Sequence, residues 1–144
     1  MEKNMTNTGK WVVASIGMDQ YKTSVQTNSH KFIADEPEAI GGGNQAPGPS
    51  DFLMTALATC TAITLRMYAD RKELPVTQIT VKVMLKIDYA LGNLSSNFDR
   101  QIEIEGNISK EQYDQLLHVA NSCPIHNILT HPIQVSTQID GAQS

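Results

Sequence analysis

The sequence predicts a segregated α+β fold, with antiparallel strands set beside one long helix and two shorter ones. Three observations carry this reading. Several short runs alternate apolar and polar residues, as half-buried strands do. The stretch that follows Ser50 is apolar on nearly every side, as a buried helix is. Gly/Pro clusters and prolines divide these pieces.

The bulk composition sets the limits. The chain has 144 residues, of which 40% are hydrophobic and 18% charged, enough apolar content to fold. Residues 1–9 read as a frayed polar tail and residues 10–140 as one domain. The net charge is −4 and Lys and Arg do not cluster, so a nucleic-acid partner has no electrostatic footprint. Two cysteines are too few for a disulfide framework, and the first ten residues lack an apolar core segment. A reducing, cytoplasmic setting is the expectation. The apolar run Phe52 to Ala69 is broken by Thr55, Thr59, Thr61, Thr64 and Arg66 and flanked by Asp51 and Asp70. It reads as a core helix, with no membrane partner expected.

In chain order, Trp11–Ile16, Tyr21–Thr27 and Lys31–Ala34 predict a three-stranded meander that turns near Gly17 and Asn28-Ser29. Asp35-Glu-Pro37, Gly41-Gly-Gly43 and Ala46-Pro-Gly-Pro49 then leave the sheet and end at Ser50, the expected helix N-cap. Asp51 falls in the first turn, where its charge suits the helix dipole. The helix should run to about Glu73, before Pro75. One small chain can hardly wrap so apolar a helix, which points to a dimer. Val76–Asp88 alternates with Ile79, Val81, Val83, Leu85 and Ile87 on one face. Phe98, Arg100, Ile102 and Ile104 form the same kind of face in the next strand. Ser109 and Gln112 are a capping-box pair that opens a second helix. Pro124 suits the first position of a short third helix ending near Leu129. Ile133, Val135, Thr137 and Ile139 predict a last strand, giving the order βββ-α-ββ-α-α-β.

Chemistry centres on the two cysteines. Cys60 lies inside the apolar helix and reads first as a small packing residue. Cys123 precedes Pro124 at a helix start, where free N–H groups and the dipole favour a thiolate. One core thiol and one helix-start thiol suit an attacking and a resolving pair, although the sequence does not show that they meet. Cys123 and His126 have a C-x-x-H spacing, but His30, His118 and His131 are scattered and no second short-spaced pair completes a zinc site. No metal is therefore expected. Nucleotide-binding glycine patterns and the G-x-S-x-G elbow are absent.

His30-Lys-Phe-Ile-Ala-Asp-Glu-Pro37, Gly41-Gly-Gly, Gly48-Pro-Ser-Asp-Phe-Leu, Ala58-Thr-Cys60-Thr and Ser122-Cys-Pro-Ile-His126 together resemble the OsmC/Ohr family. The resemblance runs from about Trp11 to Ile139. It implies an intertwined homodimer, with antiparallel sheets wrapped around two long central helices. It also implies thiol-dependent reduction of organic hydroperoxides, or of hydrogen peroxide, in oxidative or osmotic stress defence, with no cofactor. By that resemblance Cys60 is the peroxidatic thiol and Cys123 the resolving one. They would form an intrachain disulfide that an external dithiol reopens. Two positions depart from the best-understood branches of the family. A glutamate ten residues before the first cysteine is Ser50 here, with Asp51 beside it as a stand-in. The arginine of the N-terminal hairpin is missing, since the first arginine is Arg66, and Gln20 and Lys22 read as ordinary turn and strand residues at its place. Loss of that cation should raise the Cys60 pKa and slow attack at neutral pH. A non-catalytic dimer that holds a small hydrophobic ligand near Cys60 is the alternative reading.

Overall fold

The computed structural model describes residues 10–141, and the polar tail expected over 1–9 lies outside them. Strands β1 (Val13–Ser15), β2 (Thr23–Gln26) and β3 (Lys31–Ala34) form the expected antiparallel meander, with Val25 opposite Ala14 and Phe32. At the Asn28-Ser29 turn the Thr27 hydroxyl accepts the N–H groups of Ser29 and His30. The first two strands are shorter than the apolar runs that predict them. No residue of this sheet is fully buried, so little packing holds its ends in register.

Asp35 fixes the path from this sheet to the long helix. Its side chain is 2% exposed, and its carboxylate accepts from the N–H groups of Tyr21, Glu36, Gly43 and Gln45. Its own N–H donates to Pro47 O at 3.0 Å. A 3₁₀ turn at Glu38–Ile40 folds the loop back, and Gly42 lies so close to Glu36 that an added Cβ would stand 2.0 Å from its carbonyl oxygen. Only glycine fits there.

Helix α1 spans Pro49–Arg71. Ser50 is not its N-cap, as the sequence suggested. Pro49, with its preset φ and missing N–H, takes the first helical position, so the cap moves back to Gly48. Asp51 reaches back to accept the Gly48 N–H at 2.9 Å. The helix buries one stripe, Leu57, Thr61, Leu65 and Ala69, which recur every four residues. That stripe packs on β4 (Val76–Asp88), α2 (Lys110–Ala120) and α3 (Pro124–Leu129). Length and composition alone would let α1 cross a bilayer, while Leu65 and Ala69 of its stripe pack into this chain's core. The core is Leu65, Ala69, Val76, Leu116 and Ala120.

Strand β4 pairs antiparallel with β5 (Ser95–Gly106), which sets Val81 against Ile102 and Val83 against Arg100. The apolar faces of both strands are half-buried as expected, except that Ile87 near the end of β4 is exposed, while Lys82–Glu103 and Lys86–Asp99 pair across the wet face. The capping box of α2 forms in both directions, between Ser109 and Gln112. Pro124 opens α3. The expected last strand does not form: residues 132–141 have no strand or helix, and Val135 and Ile139 are 85% and 95% exposed. A strand needs a neighbouring edge for its N–H and C=O groups, and neither sheet of this chain takes the segment up. The observed order among the described residues is βββ-α-ββ-α-α, an α+β fold of antiparallel sheets and a long helix.

The N–H groups of Glu36 and Gln45, followed by those of Tyr21 and Gly43, hold the Asp35 carboxyl below its ordinary value of 3.8. Its contribution is therefore complete above that value and disappears as pH falls through the lower folded value. Asp35→Asn should be less stable than the parent at pH 7, with the gap closing in strong acid. Urea unfolding across that range checks it, and equal stability at pH 7 would remove Asp35 from this role.

Candidate functional site

Two helices bring the cysteines together. Cys60 lies midway along α1, one residue before the buried Thr61, and is partly exposed. Cys123 is fully buried and is the N-cap of α3. Pro124 at the first helical position leaves Cys123 in extended geometry (φ −65°, ψ 140°), so its sulfur turns in to accept the His126 N–H at 3.3 Å. Because α3 packs on α1, the two thiols are neighbours, close enough for Cys123 to act on the ionisation of Cys60. Burial pushes the Cys60 pKa above its ordinary 9.0. The adjoining Cys123 thiol adds to the rise, and the Ile125 N–H and the Thr64 hydroxyl oppose it. Desolvation is the leading cause of this rise.

A polar cluster supports Cys123 from the other side. Thr61, fully buried, donates its hydroxyl proton to Leu57 O at 2.7 Å, and its oxygen stands 3.8 Å from Cys123 Sγ. Arg100 Nη1 donates to the same oxygen at 3.0 Å, and Arg100 Nη2 donates to Asn121 Oδ1 at 2.8 Å. Arg100 reaches in from β5, Asn121 from the end of α2. His126 has its pKa lowered by burial first, then by the charges of Arg100 and His131, so its ring stays neutral at pH 7. Sequence reading did not single out Arg100 as part of a site. The available signal was Arg100 itself, a charge on the inward, apolar face of an alternating strand.

The other residues expected to support the thiols lie elsewhere in this chain. Asp51 is nine helical residues from Cys60, about 14 Å along the axis at 1.5 Å per residue, and is engaged with the Gly48 N–H. Ser50 sits one residue further away, in the first turn of α1. Gln20 and Lys22 are exposed before β2 and make no hydrogen bond to the cysteine pair. Cys123 and His126 meet through a backbone N–H, not as side-chain ligands. Among the described residues, no three His, Cys, Asp or Glu side chains are placed to hold a metal ion.

A partly exposed helix thiol thus stands against a buried helix-cap thiol, on an α+β frame with one long helix. The chain belongs to the OsmC-like protein family, whose model matches residues 41–138. No curated protein matches it in sequence. Among solved structures it resembles an osmotic-stress-induced and detoxification-response protein from Psychrobacter arcticus, at 20% identity and TM-score 0.71, covering 89% of this chain and 93% of the other. An OsmC-like protein from Mycoplasma pneumoniae matches at 18% identity and TM-score 0.72, over 86% and 89%. An organic hydroperoxide resistance protein from Legionella pneumophila matches at 15% and 0.67, over 87% and 91%. At such identities these likenesses speak for the fold alone.

Thr61→Val keeps the shape and removes the oxygen that Arg100 and Cys123 share. It strips a half-buried guanidinium of an acceptor, a loss of about 1–3 kcal/mol. Urea unfolding should register a loss in that range, and an unchanged midpoint would show that the cluster contributes nothing to stability.

Proposed function

We propose that this chain is a hydroperoxide reductase of the peroxiredoxin type, acting through Cys60 and Cys123. Family membership supports a peroxidase-like role. The observation that carries the finer reading is the adjacency of an accessible thiol and a buried one across the α1–α3 contact. In this scheme the Cys60 thiolate attacks one oxygen of an organic hydroperoxide or hydrogen peroxide. The O–O bond breaks, the alcohol or water leaves with a proton, and Cys60 becomes a sulfenic acid. Cys123 then attacks the Cys60 sulfur, its proton leaves with the hydroxide as water, and an intrachain disulfide forms. An external dithiol reduces it by exchange. No cofactor enters the cycle. In this chain Ser50, Asp51 and Gln20 would support it only indirectly.

Residues 10–140 act as one OsmC-like domain in this proposal, and the working species is a homodimer. Leu53, Ala56, Cys60, Ile63 and Met67 recur at three- and four-residue steps along α1, and Leu53, Ile63 and Met67 are 44%, 54% and 51% exposed. That spacing is the seam a second helix packs against. Residues 132–141, extended and without an edge in their own chain, favour pairing with the second copy. A cytoplasmic, reducing compartment suits two free thiols.

Reduced protein treated with cumene hydroperoxide should lose both thiols, Cys123→Ser should stop at a trappable sulfenic acid, and Cys60→Ser should stay inert. Survival of both thiols under excess peroxide overturns the enzyme, and a retained hydrophobic molecule in the purified protein would then favour a non-catalytic binding dimer. Since the Cys60 pKa lies above 9.0, its thiolate is scarce at neutral pH. The rate of peroxide consumption should climb about tenfold per pH unit from pH 7 to 9. A flat profile would mean that another group attacks.

Ile63→Lys places a charge in the seam without touching the buried stripe. Light scattering should report a shift from dimer to monomer, and an unaltered dimer mass excludes α1 from the interface.

A further inference from the structure

A cleft of about 540 Å³ opens beside the Arg100 cluster, bounded by α1, β5, α2 and α3, and neither cysteine lines it. Arg100, Asn121 and His126 form its polar end, while Leu57, Phe98 and Leu129 are among its apolar walls. We infer that this cleft binds a small anionic amphiphile, a monocarboxylate on a short apolar chain, with Arg100 as the anchoring cation.

The charge argument comes first. Arg100 is half-buried, yet both its hydrogen bonds go to neutral oxygens, and no ion pair among the described residues includes it. No Asp or Glu lines the cleft. A guanidinium has five N–H donors in a rigid fork that matches a carboxylate, so donors remain for a ligand. A partly desolvated cation without a counter-charge is an unfavourable state that an incoming anion relieves. His126 strengthens the case, because burial and the Arg100 charge keep its ring neutral, leaving Arg100 as the charged group of the lining.

The walls then decide what carries the anion. A bare inorganic ion would leave the apolar side unfilled, and a neutral hydrocarbon would leave Arg100 unpaired. A carboxylate with a short alkyl or aryl tail answers both, and the volume falls in the range of small-ligand sites. The inference stands apart from the peroxidase proposal, since it uses neither thiol.

Octanoate titrated into the full-length protein by calorimetry tests it, with 1-octanol and inorganic phosphate as comparison probes. Octanoate should bind saturably at one site per chain, with both comparison probes weaker by about tenfold or more. Arg100→Gln should weaken octanoate by about tenfold or more and leave 1-octanol unaffected, while Arg100→Lys retains most of the affinity. Should Arg100→Gln fail to fold, Ser96→Glu offers a second route. It sets a carboxylate at an exposed lining position, where it should compete with octanoate for Arg100. Octanoate binding unaltered by a folded Arg100→Gln or by Ser96→Glu overturns the inference. So does phosphate binding as tightly as octanoate, or no saturable octanoate binding up to about 10 mM.

Discussion

The hydroxyl of Thr61 is the point on which the arrangement of helices and sheet around the thiols depends. It is a polar group at zero exposure inside an otherwise apolar stripe, and such a group is tolerated only when its hydrogen bonds are complete. Its proton goes to the preceding turn of α1 at Leu57 O, which leaves its lone pairs for Arg100 and places it against Cys123. One oxygen thus ties α1 to β5 and brings α3 into register with both. Through its second bond Arg100 adds the end of α2. The orientation of Cys123 follows from these contacts together with the Pro124 cap, and the position of Cys60 follows from being next to Thr61 on the same helix.

The electrostatics of the site follow from its partial burial. Burial is the first cause of both the rise at Cys60 and the fall at His126, and in each case it favours the neutral form. The resting site therefore holds one fixed charge, Arg100, amid neutral partners. That charge stands on the Cys123 side of Thr61 and not against Cys60. Within this chain the Ile125 N–H and the Thr64 hydroxyl lower the Cys60 pKa without reversing the effect of burial.

Much of this frame was legible in the residues. The β4 and β5 faces, the Ser109–Gln112 box and the Pro124 start were read correctly because each rests on short-range chemistry. Ser50 was misread because two local rules compete there: a good capping side chain follows a proline that itself prefers the first helical position, and the proline prevails. The strand at Ile133–Ile139 failed for a non-local reason, since alternation states that a segment can pair but not whether an edge lies within reach. Arg100 was placed on the correct face, but its bonds to Thr61 and Asn121 span 39 and 21 residues of sequence. No periodicity encodes contacts at that separation.

The faces of α1 carry the argument one step further. The helix is apolar nearly all round, yet this chain buries only the Leu57–Thr61–Leu65–Ala69 stripe. The second apolar stripe runs through Cys60 itself, flanked by Ala56 and Ile63. If a second copy covers that stripe, as proposed, it covers the thiol with it, and the added desolvation acts in the same direction as the burial already present. Association would then form the roof over the reactive sulfur, exclude water from it and restrict which peroxides reach it. A single apolar surface would therefore serve as both the dimer seam and one wall of the site. On this account stability and chemistry cannot be tuned independently along α1: a polar residue that loosened the seam would also rehydrate the thiol.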